Sequence, residues 1–127
     1  YGFSSSSRGR KRFYRIPALS DPEREAKLAQ IERWAGNQPI QSGCCDLLKP
    51  AMYRIYLRLR GGDWAAPPRY GARILFCVHD EIVTTAPDAH VSEVSEIMKV
   101  CMQAAYDDVI KSVKNTVDVT IGDYWKK

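Results

Sequence analysis

Two runs rich in strand-forming residues, Arg73–Val78 and Glu81–Ala86, are separated by only two residues, His79 and Asp80. That spacing constrains the chain more than any other feature. Two β runs joined by two residues predict a tight antiparallel hairpin. The hairpin is flanked by turn-forming sequence: Gly61-Gly62-Asp63, Pro67-Pro68 and Gly71 before it, Pro87-Asp88 after it. Residues 63–72 therefore read as a loop.

Periodicity supplies the remaining elements. Ser20-Asp21-Pro22-Glu23 reads as a helix start, with Ser20 as cap and Glu23 as its capping-box partner. Leu28, Ile31, Trp34 and Ala35 then share one face, and Gly36 and Pro39 are expected to end this helix. A second helix is expected over about 41–60, with Cys45, Leu48, Met52, Ile55 and Leu59 on its stripe and a kink or later start at Pro50. Asp88 is expected to cap a third, with Val91, Val94, Met98, Cys101, Ala105 and Val109 buried. Val117, Val119 and Ile121 alternate with polar residues, as in a last strand. The expected fold class is α+β: an antiparallel sheet, made of the hairpin plus a C-terminal strand, packed with three helices. No internal repeat is visible.

A length of 127 residues suits one ordinary domain, and 45% hydrophobic with 27% charged residues is a soluble globular composition. The longest apolar run, Ile74–Val78, is far short of the ~20 residues of a membrane span. The N-terminus lacks the apolar stretch of a signal peptide. It also lacks a methionine, so a piece of a longer protein is expected. The net charge is +4, yet residues 1–15 carry Arg8, Arg10, Lys11, Arg12 and Arg15 without an acid, so the remainder sums to −1. A basic arm over residues 1–19 on a near-neutral body, 20–127, suits either phosphate contact or a solvated tail. Cys44, Cys45, Cys77 and Cys101 show no Cys-x-x-Cys spacing. They read as small buried hydrophobes in a reducing compartment.

The residues His79-Asp80-Glu81 admit two readings. A hairpin lifting a carboxylate to its tip can hold a magnesium ligand, since that ion needs only one or two carboxylates beside water and substrate phosphate. Equally, Asp is common in turns for its own conformational reasons. A metal phosphohydrolase needs more histidines than His90 can add. A Cys77/His79 nucleophile pair is disfavoured by the place of Cys77 inside the apolar run.

The chain as a whole resembles the C-terminal part of a family A DNA polymerase, the bacterial polymerase I and phage replicative type. The segment Arg33, Asn37, Pro39, Gln41 is similar to that family's Arg-x-x-x-Asn-x-Pro-x-Gln pattern. Asp46-Leu47-Leu48-Lys49-Pro50-Ala51-Met52 resembles its Ala-Ala-Asp helix, and Val78-His79-Asp80-Glu81 its motif C. Gly9-Arg10-Lys11-Arg12 resembles the Gly-Arg-Arg-Arg segment, and Val117-Asp118-Val119 through Gly122-Asp123-Tyr124-Trp125 the closing strand. Departures are Ser42-Gly43-Cys44-Cys45 in place of Gly-Thr-Ala-Ala, Pro50 in place of a helix former, and a longer link at 61–72. A single-subunit RNA polymerase tends to carry Ser where this chain has Glu81.

The resemblance implies a role for each motif. Asp80 is expected to be one of two aspartates binding two Mg2+ ions ~3.5–4 Å apart, with Glu81 as supporting or weak ligand and His79 near the primer-terminal phosphate. Arg33, Asn37 and Gln41 are expected along the primer–template minor groove, reading acceptors common to all correct pairs. Arg10, Lys11 and Arg12 are expected on duplex phosphates. The other catalytic aspartate and the triphosphate-gripping fingers helix lie upstream in the family. Template-directed nucleotidyl transfer is thus expected only with an N-terminal polymerase polypeptide, which would also supply the dNTP contacts. The chain alone is expected to be inactive and to expose a sheet edge and apolar helix faces. Primer–template DNA is the expected partner, no membrane is expected, and the expected setting is the cytoplasm of a bacterial or phage-infected cell. The alternatives are a non-catalytic duplex nucleic-acid-binding module and a remnant without function.

Overall fold

A computed structural model describes residues 2–125; Tyr1, Lys126 and Lys127, which end the expected 1–19 and 20–127 segments, lie outside them. The element order is β1 (Gly2–Ser5), β2 (Lys11–Tyr14), α1 (Arg24–Leu59), β3 (Arg73–Val78), β4 (Glu81–Thr85), a single 3-10 turn (Asp88–His90) and α2 (Val91–Val109). The class is α+β, with two separate two-stranded antiparallel sheets among the described residues, β1-β2 and β3-β4. Residues up to Asp46 form one compact unit and residues from Leu47 onward a second.

Among the described residues two α-helices replace the expected three, because the first two are one continuous helix of 36 residues. Gly36, Pro39, Gly43 and Pro50 all lie inside it. Each interior proline forfeits one backbone hydrogen bond, a local cost of about 3 kcal/mol. Packing on either side outweighs that cost. Towards the N-terminal end Gln38, Ser42 and Asp46 are buried; towards the C-terminal end Leu47, Leu48, Ala51, Ile55 and Leu59 are. The helix begins under Asp21 rather than Ser20. The Asp21 carboxylate accepts from the Glu23 N–H at 2.9 Å and pairs with Lys27 Nζ at 2.9 Å. Two glycines in the left-handed region, Gly61 (φ +71°) and Gly62 (φ +94°), stop it, and the Gly62 N–H closes on the Leu57 carbonyl at 2.8 Å.

The expected irregular arm is a hairpin. Gly2 pairs with Tyr14 and Ser5 with Lys11, and Gly9 (φ +80°) makes the turn. The expected last strand is absent among the described residues. Residues 110–125 form no ladder, although Val117 is buried in the core. Alternation alone does not make a strand; a strand needs a neighbour's backbone, and among the described residues β3 and β4 pair only with each other. Asp88 opens the 3-10 turn instead of capping a helix, with the His90 N–H bonded to the Pro87 carbonyl at 2.8 Å.

The core of the second unit joins Leu48, Ala51, Ile55 and Leu59 of α1 to Ala72, Ile82, Val94, Cys101, Met102, Ala105 and Val117. The cysteine expectation fails at three of four positions. Only Cys101 is buried; Cys44, Cys45 and Cys77 are exposed. Cys44 and Cys45 lie beside the inward stripe of α1 rather than on it, and β3 keeps an open face. Leu75 and Phe76 are exposed on that strand; the expected sheet edge follows instead from the two-stranded pairing, which leaves the outer backbone of β3 unpaired among the described residues.

Candidate nucleic-acid interface and metal-binding hairpin tip

The β3–β4 hairpin has the boundaries its sequence predicts, to within one residue at the end of β4. Its register pairs Val78 with Glu81, Cys77 with Ile82 and Phe76 with Val83, and a bulge at Leu75 shifts the pairing towards Ile74–Thr84. The connection is His79-Asp80 alone. His79 takes φ +54°, the only non-glycine residue with positive φ among the described residues. A side chain in that region costs about 1–2 kcal/mol, and such strain concentrates at functional turns. His79, Asp80 and Glu81 are all exposed.

The two carboxylates differ in their surroundings. Among the described residues no hydrogen bond or ion pair engages Asp80. Glu81 accepts a hydrogen bond from the Trp125 indole N–H at 3.2 Å. That indole also meets the Phe76 ring edge-on, with centroids 5.6 Å apart. An exposed, unpaired carboxylate on a strained two-residue turn suits a hard cation that takes few protein ligands. No group of three His, Cys, Asp or Glu side chains that could hold a metal ion gathers among the described residues.

In the first unit Arg33, Asn37 and Gln41 lie on α1 four residues apart and exposed. At ~1.5 Å rise and 100° per residue they span about 12 Å along the axis and 80° around it, a single polar face. The adjacent stripe, Gln38, Ser42 and Asp46, faces inward and clasps the β1–β2 hairpin. Arg10 donates through Nε (3.1 Å) and Nη2 (2.5 Å) to Asp46 Oδ1. Ser4 Oγ donates to Gln38 Oε1 at 3.0 Å and hydrogen-bonds the Tyr14 hydroxyl at 2.9 Å. Gln38 Nε2 donates to Ser42 Oγ at 2.9 Å, and Ser42 Oγ donates to the Gln38 carbonyl at 2.5 Å. The nearby Ser6 hydroxyl, then the Arg10 guanidinium, hold the Asp46 carboxyl below the usual aspartate range.

The basic residues are therefore not equivalent. The Arg10 charge is engaged by Asp46. Lys11 and Arg12 stay exposed and rest on aromatic rings. Lys11 Nζ lies 4.6 Å from the Phe3 centroid, and the Arg12 guanidinium lies 5.6 Å from Tyr14 and 5.5 Å from Trp34. Such stacking orients a cation without neutralising it. Sequence reading missed the clasp. Its one visible signal was the four-residue spacing of polar residues 38, 42 and 46 in line with the half-buried Leu28, Ile31 and Ala35. It also missed the contact of Trp125 with Glu81, which joins residues 44 apart.

The family model for DNA polymerase family A matches residues 2–127. The chain is 35% identical over 124 residues to the thermostable DNA polymerase I of Thermus thermophilus, covering 98% of this chain and 13% of that protein. It is 31% identical over 97 residues to DNA polymerase theta of Caenorhabditis elegans, covering 76% of this chain and 6% of that one. The fold superposes on the POL domain of Pol1 from M. smegmatis, solved with DNA primer-template and dNTP. There the TM-score is 0.65 at 30% identity, over 83% of this chain and 17% of that one. The chain belongs to DNA polymerase family A. It spans about an eighth of the length of the bacterial polymerase I relatives it matches. No helix among the described residues is long and apolar enough to cross a membrane.

Proposed function

We propose that this chain is the C-terminal palm portion of a DNA-directed DNA polymerase. It would contribute a metal-binding carboxylate and primer–template contacts to an enzyme completed by an upstream polypeptide. The observation that carries the reading is Asp80, an exposed carboxylate without a partner among the described residues, on a two-residue turn held at positive φ by His79. Membership of the family adds that such an enzyme acts on primed DNA.

Within this reading Asp80 binds magnesium and Glu81 supports the site, with His79 beside the primer-terminal phosphate. Two bound Mg2+ ions, completed by an upstream aspartate, would supply activation of the primer 3′-hydroxyl and charge stabilisation on the leaving pyrophosphate. Arg33, Asn37 and Gln41 donate to minor-groove acceptors, the purine N3 and pyrimidine O2, which every correct pair presents. Lys11 and Arg12 neutralise backbone phosphates. Arg10 acts through Asp46 by fixing the hairpin that carries them. The exposed polar face and basic hairpin, which need no metal, support the second reading of a duplex-binding module.

Primer extension separates the two. The chain is assayed with Mg2+, dNTPs and primed template, alone and with an upstream family A polymerase fragment. Extension is expected only in the mixture and is expected to vanish with Asp80→Ala. Duplex binding should survive that substitution, and Lys11→Ala or Arg12→Ala should each lower the salt slope of binding by about one. Salt-sensitive binding with no extension in a mixture of folded partners would leave the binding module.

A further inference from the structure

Trp125 touches both strands of the metal-binding hairpin. Side chains alternate faces along a strand, so Glu81 and Val83 lie on one face of β4, and Val83 is paired with Phe76 on β3. Ile82, on the opposite face, is buried in the core. The indole therefore sits on the face away from Ile82, its ring against Phe76 and its N–H on Glu81 Oε2. It reaches there from an irregular segment that is anchored by the buried Val117.

The choice of donor matters chemically. An indole N–H can only donate, and it carries no charge. It restricts the rotamers of Glu81 without neutralising it, whereas a lysine or arginine at this place would compete with a metal cation for the same carboxylate. Asp80, one residue earlier, has no such tether among the described residues.

We infer that Trp125 is a positioning residue for the hairpin tip: its indole N–H ties Glu81 back over Phe76 as an oriented acceptor for metal-bound water, and leaves Asp80 as the direct metal ligand. This rests on the metal-binding reading of the tip given above. It assigns different tasks to two adjacent carboxylates and gives the C-terminal segment a part in the metal site.

The test is Mn2+-induced line broadening in the full-length 15N-labelled chain, observed at the amides of Asp80 and Glu81 and at the Trp125 indole N–H. Broadening of all three is expected, with its loss in Asp80→Ala. Trp125→Phe keeps a ring for Phe76 and removes the donor. It is expected to raise the Mn2+ concentration at half-broadening of the tip amides by about tenfold, the low end of what losing such a partner costs a metal site. Independently of that variant's folding, Glu81→Ala must shift the Trp125 indole resonance in an otherwise native chain. Unchanged Mn2+ affinity in a folded Trp125→Phe, or an unmoved indole resonance in Glu81→Ala, overturns the role of Trp125 while the metal reading stands. An absence of Mn2+ broadening at the tip of the native chain overturns the metal reading, and this inference with it.

Discussion

The two β-hairpins of this chain are attached by opposite chemistries. The β1–β2 hairpin is held on the N-terminal part of α1 by a polar clasp, Arg10 on Asp46 and Ser4 on Gln38. The β3–β4 hairpin is held by apolar packing, Ile82 against a core that includes Ile55 and Leu59. Apolar burial is non-directional and supplies most of the stability, while hydrogen bonds are directional and set orientation. The hairpin carrying Lys11 and Arg12 is thus oriented chiefly by hydrogen bonds. The hairpin carrying Asp80 is anchored in a core, which can absorb the strain of its tip.

The comparison can be broken most forcefully in the core. Ile55 is fully buried, and Ile55→Ala is expected to cost about 2–5 kcal/mol, read as a lowered urea midpoint. The β1–β2 clasp should respond less. Asp46→Ala removes a charge-assisted bond, worth about 1.5–3 kcal/mol, and one partner, Arg10, is partly exposed. The expected signature is local, with faster amide exchange in β1 and β2 and little change in α2. Acid should act on the same contact. The Asp46 carboxyl is depressed in the folded state, so its contribution is complete above the unfolded aspartate pKa and is lost as pH falls through the lower folded value. Hairpin amide protection should therefore persist through the ordinary aspartate range and fail below it. If Asp46→Ala instead lowered global stability as much as Ile55→Ala does, the contrast between the two attachments would be wrong.

A smaller effect of opposite sign is expected at the tip. His79→Gly relieves the φ +54° backbone and should leave stability unchanged or raise it by up to about 1 kcal/mol, while extension in the complemented assay falls. A stability loss would show that His79 is held by contacts rather than strained for function. The smallest effect concerns thiols. Burial pushes the Cys101 thiol up, against the pull of Arg58 and Arg54, so it should resist maleimide at neutral pH while Cys44, Cys45 and Cys77 label readily.

Local sequence determined much of this. Strand propensity on either side of two turn residues set the β3–β4 hairpin, the Gly61-Gly62 stop set the end of α1, and helical periodicity set the buried face of α2. Each is decided by residues within a few positions of one another. Glycine and proline punctuation misled where the competing terms were distant. Pro39 and Pro50 announce breaks that burial on either side overrides, and Val117–Ile121 alternates without a neighbour to pair with. The collinear motifs pointed to the family, because the residues of each motif lie close together in the chain. Tertiary structure alone decided that Arg10 is engaged by Asp46 while Lys11 and Arg12 remain exposed, and that Trp125 tethers Glu81 but not Asp80. These contacts join residues 36 and 44 positions apart. Which of several arginines meets the buried acid, and which of two carboxylates meets the indole, depends on distances that no local pattern encodes.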